Sequence, residues 1–366
     1  MYQTTERENE RNYVVFASIN IIQRDMDNNK YKLNSLSFAI TYNCNLKCSF
    51  CSRDAGDGKN ISLELMQNTI EDALKFADLK MINLTGGEPF LHPQFEEILK
   101  LISSRKLDIR INTNGLCLDD RGRELIDKYG VKLFTFSLDS SCKDIHDGLR
   151  GVDGSFERSV KNIKNLRDKG YKYFVKATVN EENVDTIYDL MKMSYEELGA
   201  YGFSISRTVP VGRACGQGYI QNDFIYKFMN LGRQCSIYAK EKHKQFLIDD
   251  PIRFKFDERV KNFVENYEAF CGDIRGGCTA GTSFLYILPE GDVLICPGLT
   301  LPVGNVKEQS LQAIWEESEI IKRVRSREEL KGKCGKCIYK QLCGGCRAYA
   351  FATTGDYLES DFFCID

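Results

Sequence analysis

The chain has 366 residues, 42% of them apolar, with 50 Lys+Arg against 52 Asp+Glu, three His and a formal charge of −2. So balanced a charge excludes the strong basic field of a nucleic-acid enzyme, and so apolar a composition excludes a disordered chain. No stretch approaches eighteen apolar residues, and the first segment, MYQTTERENERN, is polar and mixed in charge, so neither a transmembrane helix nor a secretory signal is read and a cytoplasmic location is expected. Fifteen cysteines then stand out, because thiols stay reduced in that compartment. Three lie between Cys44 and Cys51 and eight between Cys271 and Cys364, a clustering that points to metal.

In chain order, β-rich runs are predicted at 36–40, 81–85, 108–112, 133–138, 173–179 and 202–206, with helical patterns at about 62–78, 94–105, 119–129, 155–169 and 183–198. For 155–169, Ser155 is the expected N-cap and Gly170 the stop. Strands alternating with helices make βαβ units and a parallel sheet; periodicity leaves an open doubly wound sheet and a partial barrel equally open. Residues 216–270 read as helical and charged. From Cys271 the texture turns to Gly and Cys, with a β-hairpin in FLYILPEGDVLIC turning at Pro289–Asp292, then an amphipathic helix, LQAIWEESEIIKRV, capped by Ser310. The expected organisation is an N-terminal extension (1–35), a barrel (36–215), a helical bridge (216–270) and a cysteine-rich domain (271–366). No internal repeat is found.

In TYNCNLKCSFC, Cys44, Cys48 and Cys51 follow the first strand in the spacing C-x3-C-x2-C. Three thiolates on such a loop hold three irons of a [4Fe–4S] cluster and leave the fourth open; a structural zinc knot with a distant fourth ligand is the alternative. LTGGEP follows the second strand, where Gly86 and Gly87 let the backbone approach a ligand closely. With CNLKCSFC, TGGEP, INTNG at 111–115 and SLDSSCKDIHD at 137–147, each after a strand, the chain resembles the radical S-adenosylmethionine (SAM) enzymes from about residue 36 onward.

That resemblance implies a partial (β/α)6 TIM barrel. Cys44, Cys48 and Cys51 would bind the cluster, and the amino and carboxylate groups of SAM would take the open iron. Gly86, Gly87 and Glu88 would line the methionyl end, and Phe50 would pack near the adenine or simply in the core. Ser137 and Asp139 would approach the ribose, with Asn112 and Asn114 as weaker candidates. The chemistry implied is reductive cleavage of SAM to a 5′-deoxyadenosyl radical that takes hydrogen from an unactivated C–H bond, an oxidoreductase reaction.

The C-terminal pattern is C-x12-G-x4-C from Cys278 to Cys296, then C-x2-C-x5-C-x2-C from Cys334 to Cys346, then Cys364; with Cys271 this makes eight thiols. Eight serve two full [4Fe–4S] clusters or two zincs, but a zinc ribbon prefers about 15–20 residues between its CxxC pairs, and here there are five. The pattern resembles the SPASM extension, which carries auxiliary clusters. By that resemblance Cys271, Cys278, Cys296 and Cys346 would hold one cluster and Cys334, Cys337, Cys343 and Cys364 the other, tying the hairpin to terminal loops with too little apolar content to fold alone. Cys117, Cys215 and Cys235 read as small hydrophobes, and Cys142 stands near the expected substrate.

Pro297 replaces the Asp that anaerobic sulfatase-maturating relatives carry after the cysteine matching Cys296, so that activity is not expected. HDGLRGVDGSFERSV, VPVGRA and CGGCRAYAFATTGDYLESDFFC resemble the branch holding haem-pathway decarboxylases and maturases of ribosomally made peptides, such as those for mycofactocin and pyrroloquinoline quinone. The first reading is a maturase oxidising, cross-linking or decarboxylating a precursor peptide. The others are a tetrapyrrole propionate decarboxylase of haem biosynthesis and a non-enzymatic iron–sulfur carrier, which TGGEP argues against. Arg207 and Arg213 would clamp a carboxylate at the barrel mouth, and His146-Asp147 would cap a helix rather than act as a base. The 35 residues before the first strand are short for a winged-helix precursor-binding domain, so a separate leader-binding protein is expected. A flavodoxin- or ferredoxin-type reductant, or an acidic leader, would dock on the basic run 322–333.

Overall fold

The computed structural model describes residues 31–56, 58–216, 222–252, 278–341 and 343–364. Cys271, most of the expected N-terminal extension and part of the expected bridge lie outside them. The six expected strands form: β1 (Ser35–Thr41), β2 (Met81–Gly86), β3 (Asp108–Thr113), β4 (Leu133–Ser137), β5 (Tyr173–Val179) and β6 (Gly202–Arg207). They lie side by side in parallel, in register Phe38↔Leu84, Leu84↔Ile111, Ile111↔Phe134, Phe136↔Val175 and Val175↔Phe203.

Alternation fixes the two faces of this sheet. Ile82, Leu84, Ile109, Ile111, Phe134 and Phe136 are buried against the helices. The residues between them, Asn83, Thr85, Arg110, Asn112, Thr135 and Ser137, are partly exposed on the inner face. The loops that follow the strands all leave from one end, where parallel α/β folds place their chemistry.

Local chemistry sets the helix ends. Ser62 Oγ accepts from Leu65 N at 3.1 Å to start Leu63–Phe76, and Asp119 accepts from Gly122 N at 2.8 Å to start Asp120–Tyr129. The helix Ser155–Asp168 corrects the expected cap: Ser155 is its first residue and Gly154, at φ 72°, its N-cap position. The capping carboxylate comes from Asp147, which accepts from Gly154 N (2.7 Å), Ser155 Oγ (2.7 Å) and Phe156 N (2.8 Å). A helix over Lys143–Arg150, which periodicity does not predict, puts Asp147 there.

The sheet also runs beyond six strands. After the helix Asn222–Glu241, β7 (Gln245–Ile248) pairs in parallel with β6, so the segment read as wholly helical contains a strand. At the other edge β8 (Phe284–Ile287) pairs in parallel with β1, and β9 (Asp292–Leu294) and β10 (Gly304–Asn305) follow antiparallel. The predicted hairpin is therefore β8–β9, turning at Gly291 (φ 99°), and it extends the barrel sheet. Ser310 caps the next helix as expected (Ala313 N, 3.1 Å), but Ser318 divides the run into Leu311–Glu317 and Glu319–Ser326. Leu285, Ile287, Val293, Ile295, Trp315, Ile321 and Phe363 belong to the same core as the barrel, so the terminal segment borrows the apolar surface it was expected to lack.

Arg207 ties the other side of this segment to the barrel. Its parity on β6 matches Phe203 and Ile205, so it points away from the inner face, against the expectation that it meets substrate at the mouth. Its guanidinium pairs with Asp250 and Asp361, both at 2.6 Å, and lies 4.5 Å and 4.2 Å from the ring centres of Tyr349 and Phe363. All three charges are buried. Arg207→Met is expected to leave two carboxylates without their cation and to cost about 3–5 kcal/mol. Denaturant unfolding of the variant checks this, and an unchanged midpoint contradicts it.

Candidate active site and iron–sulfur loops

The cysteine loop begins where β1 ends. Cys44 N donates to Gly56 O (2.8 Å), Cys51 N to Cys48 O (3.2 Å), and Ala55 N to Cys51 Sγ (3.5 Å). Two neighbours hold the loop from outside. The end of the helix Lys143–Arg150 accepts Lys47 N and Ser49 N, each at 2.9 Å, on the carbonyls of Arg150 and Leu149. Arg213 donates from Nε to Cys48 O (2.7 Å) and from Nη1 to Ala55 O (2.7 Å) and Asp54 (3.0 Å). Arg213 thus clamps this loop, where sequence suggested a substrate carboxylate.

Gly86 and Gly87 press β2 onto the same loop. A Cβ on Gly86, at φ 127°, would stand 2.3 Å from Thr41 O, and one on Gly87 would stand 2.1 Å from Asn43 O. Gly87 N and Glu88 N instead donate to those two carbonyls, at 2.7 Å and 2.8 Å. The close approach read from GG is to the cysteine loop itself. The Glu88 carboxylate is fully buried and accepts from Thr113 Oγ1 and Asn114 N, both at 2.8 Å. Burial pushes its pKa up to about 7, despite these donors. Asn114 in turn donates to Asn45 Oδ1 at 2.7 Å, with its Nδ2 4.0 Å from Cys44 Sγ.

The remaining candidates divide between the two faces. Asn112 and Ser137 stand on the inner face of β3 and β4. Asp139 is buried, its Oδ1 accepting from Thr178 N (2.8 Å) and its Oδ2 2.5 Å from Arg150 Nη2, so the carboxylate expected at the ribose is held by protein. Phe50 lies under the Arg150 guanidinium, 5.2 Å from carbon to ring centre, and Arg150 Nη1 is 3.6 Å from Cys48 Sγ. Sequence reasoning missed Arg150; the only trace was LRG inside a longer motif. Cys142 is exposed at the start of the helix Lys143–Arg150, and Cys117 accepts from Asn45 Nδ2 at 3.1 Å. Cys235 is buried in the core, and Cys215 is exposed.

In the terminal segment, Cys278, Cys296, Cys343 and Cys346 line one cavity of about 30 Å³ with Arg327 and Arg347. Cys334 and Cys364 join them through Asp361: its N donates to Cys334 Sγ (3.4 Å) and its O accepts from Cys364 N (3.1 Å). The donor set fits iron–sulfur ligation. Backbone N–H groups of Ala280, Tyr339 and Gly345 each donate to the sulfur two residues earlier, of Cys278, Cys337 and Cys343, at 3.4 Å, and Leu299 N donates to Cys296 Sγ at 3.2 Å. Buried Arg347 adds Nη2 to Cys334 Sγ at 3.5 Å. Such donors stabilise thiolate charge and tune a cluster's potential.

Without metal, burial pushes the thiols up: Cys44 to about 11, Cys296 and Cys343 to about 12, and Cys48 in the same direction. A bound cation supplies the charge that deprotonates them. Among the described residues no three His, Cys, Asp or Glu side chains close on one ion-sized point. Also among the described residues, no helix is long and apolar enough to cross a membrane.

Comparison with known proteins gives two family matches: the radical SAM superfamily over residues 38–193 and the SPASM iron-sulfur cluster-binding domain over 278–338. Over 342 residues the chain is 31% identical to the AdoMet-dependent heme synthase of Methanosarcina barkeri, covering 90% of this chain and 95% of that one. It is 28% identical over 318 residues to the antilisterial bacteriocin subtilosin biosynthesis protein AlbA of Bacillus subtilis, covering 85% and 66%. In fold it is similar to Streptococcus suis SuiB bound to S-adenosylmethionine, with a TM-score of 0.71 at 20% identity, over 100% of this chain and 84% of that one.

Proposed function

Because the chain belongs to the radical SAM superfamily and carries its SPASM extension, and is therefore an enzyme that uses SAM and iron–sulfur clusters, we propose that it takes a hydrogen atom from an aliphatic carbon of a carboxylate-bearing substrate, a tetrapyrrole propionate. When bound at Cys44, Cys48 and Cys51, the cluster and SAM supply the 5′-deoxyadenosyl radical for that step. The loop clamp of Arg213 and the end of Lys143–Arg150 hold the three sulfurs in place. Glu88, Thr113 and Asn114 brace the adjoining ends of β2 and β3.

The observation that carries the substrate class is the inner face. By strand parity it carries neutral Asn83, Thr85, Asn112, Thr135 and Ser137, two cations, Arg110 on β3 and Lys176 on β5, and one acid, Asp108, at the start of β3. Lys176 is paired with Asp249 at 2.6 Å, an exchangeable partner because both are partly exposed. A propionate meets such cations as a charge-assisted acceptor. The near full-length kinship with a heme synthase supports the same reading. Kinship with the subtilosin biosynthesis protein supports a second one, oxidation of a precursor peptide.

Per propionate, the proposed reaction removes one hydrogen atom, one electron and one carbon dioxide and leaves a vinyl group, so it needs a one-electron acceptor of the ferredoxin or flavodoxin type. The basic run 322–333 is the surface expected to dock it. Lys322, Arg323 and Lys331 pair with Glu319, Glu329 and Asp356, while Arg325 and Arg327 turn onto backbone carbonyls. The run continues to Lys340 with no acid between Lys331 and Lys340; Lys331 and Lys340 pair with Asp356 and Glu328, partly exposed partners that an acidic redox protein would displace, and Ile338 is 87% exposed beside Cys337.

The test is anaerobic incubation of reconstituted enzyme with SAM, a low-potential reductant, an oxidising partner and an iron porphyrin deuterated at the propionate carbons. Deuterium in 5′-deoxyadenosine together with carbon dioxide release is expected. SAM cleavage without deuterium transfer removes the tetrapyrrole reading and turns the search to peptides.

A further inference from the structure

We propose that Arg150 and Asp139 form a buried charge pair that sets the reduction potential of the SAM-binding cluster, Arg150 raising it and Asp139 restraining that rise. The inference rests on the reading of Cys48 as a cluster ligand. Arg150 brings a guanidinium nitrogen 3.6 Å from Cys48 Sγ and another 2.5 Å from Asp139 Oδ2. Both side chains are buried, Asp139 completely, so little water screens their charges.

The pair is rigidly built. Phe50 lies under the guanidinium, and the arginine's own carbonyl accepts Lys47 N at 2.9 Å, so side chain and backbone grip the loop together. The next residue, Gly151, sits at φ 67° with Lys47 O 2.8 Å from where a Cβ would stand, which fixes where the helix ends. Asp139 is held on three sides: Thr178 N on Oδ1, Asn183 Nδ2 on its carbonyl at 2.7 Å, and its own N–H given to His146 Nδ1 at 3.2 Å. An imidazole accepting at Nδ1 is neutral, and burial keeps His146 so by lowering its pKa to about 4. Arg213 holds the carbonyl of Cys48 and pairs with the exposed Asp54, whereas the Arg150 guanidinium lies beside the sulfur and is a fixed positive charge there.

Reduction adds one negative charge to the cluster. A nearby buried cation favours the reduced form, and a buried anion disfavours it. The two residues are positioning residues, and they predict shifts of opposite sign, which a purely structural role does not.

The test is redox titration of the reconstituted full chain, following the electron-spin signal that responds to added SAM. Arg150→Met is expected to move the midpoint to more negative values and Asp139→Asn to more positive ones, each with wild-type iron content; Arg150→Lys should fall between wild type and Arg150→Met. Shifts of the same sign, or none, overturn the proposal. If Arg150→Met does not hold iron, the sign for Asp139→Asn decides alone. A Cys48→Ala chain that keeps the SAM-responsive signal refutes the ligand assignment, a failure distinct from that of the charge pair.

Discussion

The Cys44/Cys48/Cys51→Ala triple variant should lose about four irons per chain and all SAM cleavage, while keeping the iron of its terminal segment. The three thiols belong to a loop whose backbone is held by Arg213 and by the end of the helix Lys143–Arg150, and those contacts do not involve the sulfurs. The terminal cysteines meet around a separate cavity with their own backbone donors. Iron and sulfide analysis beside 5′-deoxyadenosine assays decides the matter. Loss of all iron would show that the two sets do not load independently, and residual SAM cleavage would remove these cysteines from the reaction.

Cys334/Cys337→Ala is expected to remove a second four-iron unit, to leave the SAM-binding cluster in place and to leave the protein soluble. Solubility follows from packing. Ile287, Val293, Ile295, Trp315 and Phe363 lie in the barrel's own core, and Arg207 holds Asp361, so the segment does not depend on metal alone. SAM should still be cleaved, with turnover stalling before the product's electron is removed. An insoluble variant would show that the cluster is a staple, and unchanged product yield would refute a role in electron transfer.

Spacing made the cysteines legible, and alternation made the six parallel strands legible, because both signals lie within a few neighbouring residues. What escaped reading depends on partners far along the chain. Arg150 and Cys48 are 102 residues apart, and Arg207 and Asp361 are 154 apart. No local pattern separates an arginine clamping a loop or a core carboxylate from one awaiting substrate, so Arg207 and Arg213 were read as ligands for carboxylates outside the chain. Gly86 and Gly87 were read as letting the backbone approach a ligand; that a Cβ there would meet the carbonyls of Thr41 and Asn43 depends on a loop more than forty residues away. The four residues of β7 are too few for a period to register, and nothing in FLYI says that its neighbour is β1.

The central claim is that the thiols of the first loop, braced by β2 and by Arg150, support reductive cleavage of SAM. Product analysis of anaerobically reconstituted, dithionite-reduced enzyme with SAM tests it most directly. The account predicts 5′-deoxyadenosine and methionine in equal amounts, formed slowly alone and faster with substrate; S-adenosylhomocysteine in their place, or stoichiometric zinc with little iron in the active protein, would contradict it.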